Sequence, residues 1–311
     1  MRCTAATVFS ALIAFATACG SGPIGPAEID ARDGIDGTTV DAPAGWQPLI
    51  QGDWQLAAGE EGYFCVYATV PTDTYIKAFR PIIPPGTHHT VLTSYTGSAP
   101  DGVVRCNAGT NGQSMIYGSG VGSPDFVFPA GVGLHLTAGS RLLLNLHLYN
   151  ATDQPLSGTS GTLFEQATAA DIQHLAEIVL AGPTFTLTVP QGVSTQSGTC
   201  NISNITSQPI QVFALSQHMH KLGTNLRSVI TRSGSPDLVL QDIPYDFESQ
   251  GFQLTAPTFE LRPGDVLTTS CTYNNTTGAT VRFGDSSDDE MCFTDLFYYP
   301  AQGASFICTG A

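Results

Sequence analysis

Ser216-Gln217-His218-Met219-His220 sets two imidazoles one residue apart. Alternate side chains of an extended strand share a face, so His218 and His220 stand side by side. On the opposite face Phe213, Leu215 and Met219 can pack into a core. Two neutral imidazoles so placed can hold one metal ion, and imidazole suits zinc, copper, iron and nickel alike. Two ordinary cleft histidines would look the same, so the meaning of the pair depends on the residues it is combined with.

His88-His89 follows Pro84-Pro85-Gly86, a turn signal that puts the pair at the start of a strand. Neighbouring residues of a regular strand point to opposite faces, so both could reach one ion only at an irregular strand end. The Pro-Pro-Gly entry supplies such an irregularity. His147 lies in Leu142-Leu143-Leu144-Asn145-Leu146-His147-Leu148-Tyr149. There Leu142, Leu144, Leu146 and Leu148 make an apolar face, and Asn145, His147 and Tyr149 a polar one. Met291 sits in Asp288-Asp289-Glu290-Met291-Cys292, an unusual place for core filler. Its thioether is a soft ligand that selects copper(I) over zinc. The three acids read as a solvated loop, and their spacing matches no EF-hand. His135 and His174 have no partner pattern and read as non-ligands.

The elements that must position these residues are strands. Segments rich in β-branched and aromatic residues recur between Gly, Pro, Asn and Asp clusters. Tyr63–Val70, Tyr75–Phe79, His89–Tyr95, Arg141–Tyr149, Thr184–Val189, Ile210–Lys221, Asn225–Thr231, Val266–Tyr273 and Phe293–Tyr299 are the clearest. Phe164 to Leu175 is the one helical patch expected, serving as the linker between two antiparallel sandwiches. At 311 residues, 42% apolar and only 12% charged, the chain has enough apolar material for two cores and is not a disordered one. A formal net charge of −15 with two lysines argues against nucleic acid or an anionic membrane as partner.

Residues 1–18 read as a signal peptide: Arg2, an apolar run from Ala5 to Ala16, then small residues. Residues 19–45 read as a flexible tether. Cys19 after Ala18 also resembles a lipidation site, so the expectation is export, either as a bacterial envelope lipoprotein anchored at Cys19 or as a secreted protein. Apart from Cys3, seven cysteines remain, and with Cys19 set aside six could form three disulfides in an oxidising compartment. Sequence alone leaves their pairing open. Five Asn-x-Ser/Thr sites, at Asn150, Asn201, Asn204, Asn274 and Asn275, would suit a glycoprotein but also arise by chance in Thr-rich strands.

In order, then, the chain offers His-His, a single His, His-x-His, and Met beside Cys. Thr87-His88-His89-Thr90, Asn145-Leu146-His147-Leu148-Tyr149, His218-Met219-His220, Asp289-Glu290-Met291-Cys292 and the ending Tyr298-Tyr299-Pro300 are motifs in a shared order. With them the chain resembles the copper type II, ascorbate-dependent monooxygenases over roughly residues 46–311. The resemblance implies an all-β protein of two antiparallel, jelly-roll-like β-sandwich domains, residues 46–165 and 179–311, with residues 166–178 as linker. The domains would face each other across a solvent-filled copper cleft. It implies two copper ions: one for electron transfer on His88, His89 and His147, one catalytic on His218, His220 and Met291. It also implies the disulfides Cys65–Cys106, Cys200–Cys308 and Cys271–Cys292.

The chemistry so implied is hydroxylation of a small molecule's C–H bond by O2, with ascorbate or another one-electron reductant as co-substrate. Departures from the peptide-amidating branch bear on the substrate. Ser216 stands where that branch has a carboxylate-binding arginine, and Phe293 and Asp295 where it has asparagine and tyrosine. Ser216, Phe293 and Asp295 are therefore the candidate substrate-cleft residues, and a peptidyl-glycine is disfavoured. The alternative is an exported copper-binding or electron-transfer protein of the same fold that does not hydroxylate. A zinc hydrolase on His88, His89 and His147 would leave His218, His220 and Met291 without a role.

Overall fold

In a computed structural model the described residues, 42–108, 114–303 and 307–309, are strands and turns, with one 3-10 turn at Ile202–Asn204 and no α-helix among them. The leader, Cys19 and most of the tether lie outside the described residues. The strands fall into five sheets, so the all-β expectation holds, while the finer picture of two jelly rolls is not plainly reproduced.

In the first half, one sheet runs Gly102–Cys106, Glu61–Thr69, Arg141–Tyr149, Thr87–Tyr95, Met115–Gly120. Another runs Trp46–Leu56, Leu156–Ala167, Thr74–Ile82, Val132–Leu136, His174–Leu175, with Phe126–Val127 added on Thr74–Ile82. In the second half, one sheet runs Gln253–Leu261, Ile210–Met219, Cys292–Tyr299, Glu177–Ala181, Ile307–Cys308. Its neighbour runs Gly192–Asn201, Val266–Asn275, Gly223–Thr231, Leu238–Pro244, and a two-stranded piece pairs Thr188–Val189 with Val281–Arg282. Among the described residues every ladder joins strands of the same half.

The expected helical patch is not a helix. Phe164 to Ala167 end the strand Leu156–Ala167, which is paired on both sides, and His174–Leu175 is a short strand. Ala and Gln favour helix only weakly, and two ladders outweigh that preference. The halves also pack more closely than a solvent-filled cleft implies. Phe126 and Phe128 of the first half meet Phe213 and Phe297 of the second at ring-centroid distances from 5.2 to 6.1 Å. All four are buried, and the described residues form one unit.

Cys65–Cys106, Cys200–Cys308 and Cys271–Cys292 are disulfides, the three pairs the resemblance implies. Two of the Asn-x-Thr sites have a structural use. Asn150 and Asn275 are buried, and each accepts from a Thr two residues on while its amide donates to two carbonyls. The same turn thus closes the strands Arg141–Tyr149 and Val266–Asn275, a recurrence between the halves not visible as a sequence repeat.

Candidate metal centres

His89 lies directly across from His147 in the ladder between Thr87–Tyr95 and Arg141–Tyr149, and the register slips between Thr87 and His89. This bulge is the irregularity that lets adjacent His88 and His89 turn to one place. Gly86, at φ +96°, makes the entry, where a Cβ would lie 2.7 Å from Trp54 and Leu156 atoms. The ligand atoms of His88, His89 and His147 lie within 4.8 Å of one another.

Their hydrogen bonding fits a metal. His88 Nδ1 and His89 Nδ1 are 3.0 Å apart, and the buried Nδ1 of His147 has no partner. The outward nitrogens face carboxylates: His147 Nε2 is hydrogen-bonded to Glu61 Oε1 at 2.7 Å, whereas His88 Nε2 lies 3.3 Å from Glu248 Oε2 without a hydrogen bond. Tyr63 stacks on His147 at 4.5 Å and Phe247 packs on His88 at 4.4 Å. Burial is the main cause that lowers the pKa of all three, His147 to about 4. All three are therefore neutral at pH 7, as metal ligands must be.

His218 and His220 extend from the strand Ile210–Met219, their rings 5.2 Å apart, while Phe213, Leu215 and Met219 are buried on its other face. His218 Nδ1 is 2.9 Å from Gln250 Oε1 and His220 Nδ1 is 3.2 Å from the Asp289 carbonyl. Each ring is thus fixed with Nε2 as its other nitrogen, the arrangement that orients metal-binding imidazoles. Burial lowers both pKa values, that of His220 to about 3. The sequence reads the neighbouring acids as a solvated loop, and for one of them the structure corrects this. Glu290 is fully buried and accepts from the backbone N–H groups of His220, Leu222 and Met291. Burial raises its pKa to about 7. It fastens the turn after His220 to the residue beside Met291, and it reads as solvated in sequence because charge alone does not reveal three backbone donors.

A cavity of about 280 Å³ joins the two sets, lined by His89 from one and His218, His220 and Met291 from the other. Besides burial, the nearness of His147, His88, His218 and His220 opposes protonation of His89, because neighbouring imidazolium charges would repel. Phe293 and Asp295 line the same space, and Ser216 lines a smaller annex with Asp295. Ser216 and Asp295 are register partners, as are His218 and Phe293, so these four side chains share one face of the sheet. Asp295 is 4% exposed, its Oδ1 has no partner, and burial raises its pKa well above the usual range. Asn145 lines the cavity too, its amide donating to the Asn107 carbonyl.

His135 and His174 stay apart from both sets, stacked on Tyr75 and Tyr299. Glu61, Tyr63, Phe247, Glu248 and Gln250 were not legible as site residues. Glu61 and Tyr63 reach His147 from the neighbouring strand, and Phe247, Glu248 and Gln250 reach His88 and His218 from one loop of the second half, neither of which leaves a sequence signal.

Residues 174–310 match the model of the "Copper type II ascorbate-dependent monooxygenase, C-terminal domain" family. In residues 174–310 the chain carries the C-terminal domain of the copper type II ascorbate-dependent monooxygenase family. DBH-like monooxygenase protein 1 of Mus musculus is 31% identical over 224 residues, 66% of this chain and 35% of that protein. Dopamine beta-hydroxylase of Canis lupus familiaris is 27% identical over 289 residues, 81% of this chain and 45% of that protein. Tyramine beta-hydroxylase of Caenorhabditis briggsae is 26% identical over 280 residues, 81% and 48% of the two chains. The chain thus spans between a third and a half of the length of these relatives.

Proposed function

We propose that the chain is an exported dicopper monooxygenase that hydroxylates a C–H bond of a small organic molecule. The observation that carries this reading is that two ligand sets, one from each half, open onto one small cavity. The first domain, residues 46–165, would hold copper on His88, His89 and His147. The second, residues 179–311, would hold copper on His218, His220 and Met291. Bound copper would supply one-electron transfer and the activation of dioxygen. The overall change is R–H + O2 + 2 e⁻ + 2 H⁺ → R–OH + H2O, with ascorbate or another one-electron donor giving both electrons.

The chain's own residues serve this chemistry in separable ways. Neutral imidazoles accommodate both copper oxidation states, and the Met291 thioether favours copper(I). Leu180, Phe283 and Phe293 line the cavity and limit water near the reacting bond. Asp295 and Asp285 line it with no lysine or arginine, which supports neutral or cationic substrates over acidic ones. Three disulfides support an oxidising compartment and hence export.

The alternative, copper storage or electron transfer without hydroxylation, gives no use to a buried, unpartnered Asp295 in a mostly apolar cavity. Oxygen uptake with ascorbate and candidate substrates distinguishes the two. The expected result is one labelled oxygen atom from 18O2 in the product per O2 consumed. Ascorbate oxidation with no hydroxylated product from any neutral or amine-bearing substrate would favour the alternative.

A further inference from the structure

Glu61 opens the strand Glu61–Thr69, which pairs with Arg141–Tyr149 so that Tyr63 faces His147 and Glu61 faces Tyr149. Glu61 and Tyr63 both hold the His147 ring. Tyr63 stacks on it with planes 7° apart, and Glu61 Oε1 lies 2.7 Å from its Nε2. Because a carboxylate accepts, Nε2 carries the proton, and the unpartnered Nδ1 presents its lone pair toward His88 and His89. The other oxygen of Glu61 reaches across to the second half, 3.8 Å from Lys221 Nζ. Lys221 directly follows His220, and its ammonium also meets Asp288, 3.1 Å away, three residues before Met291.

We propose that Glu61 is a positioning residue for the first metal site, fixing His147 with Nδ1 toward the metal, and that Lys221 ties this carboxylate to the segment carrying His220. The inference rests on the dicopper reading above. A ligating imidazole that donates its second N–H to a carboxylate is a stronger electron donor, and loss of such a partner costs about 10–100-fold in metal affinity. The Glu61–Lys221 pair is exposed, so it contributes little to folding. Its effect is on the charge that the carboxylate presents to His147. Lys221 draws on that charge, which makes the copper at His147 sensitive to whether the two halves are together.

The test uses the copper-loaded protein and reads affinity and potential rather than turnover. Chelator competition gives the affinity of each copper, and an anaerobic redox titration followed by electron paramagnetic resonance gives each midpoint potential. Glu61→Gln should weaken the three-histidine copper by about 10–100-fold, leave the second copper unchanged, and raise the first potential, since a weaker donor favours copper(I). Lys221→Met keeps the Glu61–His147 bond, so affinity should stay near that of the wild type while the first potential falls. Opposite signs from the two variants are what a relay requires and what loosened packing would not give. Unchanged first-site affinity and potential in Glu61→Gln would overturn this inference alone. A wild type that takes no copper on the three histidines would overturn it together with the dicopper reading.

Discussion

Met291 brings a thioether to a wall otherwise furnished with imidazoles, and its softness is its chemical contribution. Met291→His should still bind a second copper, because imidazole is a good ligand, but should lose most hydroxylation. Copper content and product yield on one preparation check this, and full activity would remove the role given to sulfur. Asp295 supports a second prediction. Burial favours its protonated form, so the cost of ionising it offsets part of what a bound amine gains, and Asp295→Asn should weaken amine binding by ~1 kcal/mol and leave an uncharged analogue nearly unaffected. Equilibrium binding without reductant measures both. The proposed ligands were legible in sequence because histidine at tight spacing and methionine among acids are informative residue types. Glu61 and Glu290 were not, since a glutamate that accepts from an imidazole or from three backbone amides looks like any surface acid until register is known.

The strands explain why the second set is held where it is. Ile210–Met219 and Cys292–Tyr299 are register partners, and Cys271–Cys292 fastens the latter to Val266–Asn275 of the neighbouring sheet. The bridge ends one residue from Met291. Replacing both cysteines by alanine should cost ~2–5 kcal/mol of stability and make the second copper easier to remove than the first. Thermal melts and chelator kinetics read the two effects separately. Strands with a long apolar run between turn residues, such as the leucine-rich Arg141–Tyr149, were readable to the residue. Gly192–Asn201 was not, because Gly, Ser, Thr and Gln carry little strand signal, and its half-buried positions are set by the partner Val266–Asn275. Leu156–Ala167 looked helical at its end for a related reason: its pairing partners are more than 70 residues upstream.

Across the whole molecule, five histidines with lowered pKa values are gathered about one cleft. Below about pH 6.5 the unfolded chain takes up protons that these buried rings refuse, so the unfolded state binds more protons and stability falls with pH. The copper-free protein should lose melting temperature steadily from about pH 6.5 toward pH 4, the value for His147. Asp285, Glu290 and Asp295, with raised values, act in the opposite sense but are three against five. A melting temperature that is flat or rises over that range would show that the rings are not buried as described. The aromatic contact through Phe126, Phe128, Phe213 and Phe297 keeps the halves together, and no pattern within either half announced it. The central claim is that each half holds its own copper, and counting copper tests it most directly. Purified wild-type protein should carry two coppers per chain and His147→Ala one, with the remaining copper still bound by His218, His220 and Met291. A single copper in the wild type, or loss of both in His147→Ala with the fold intact, would contradict the account.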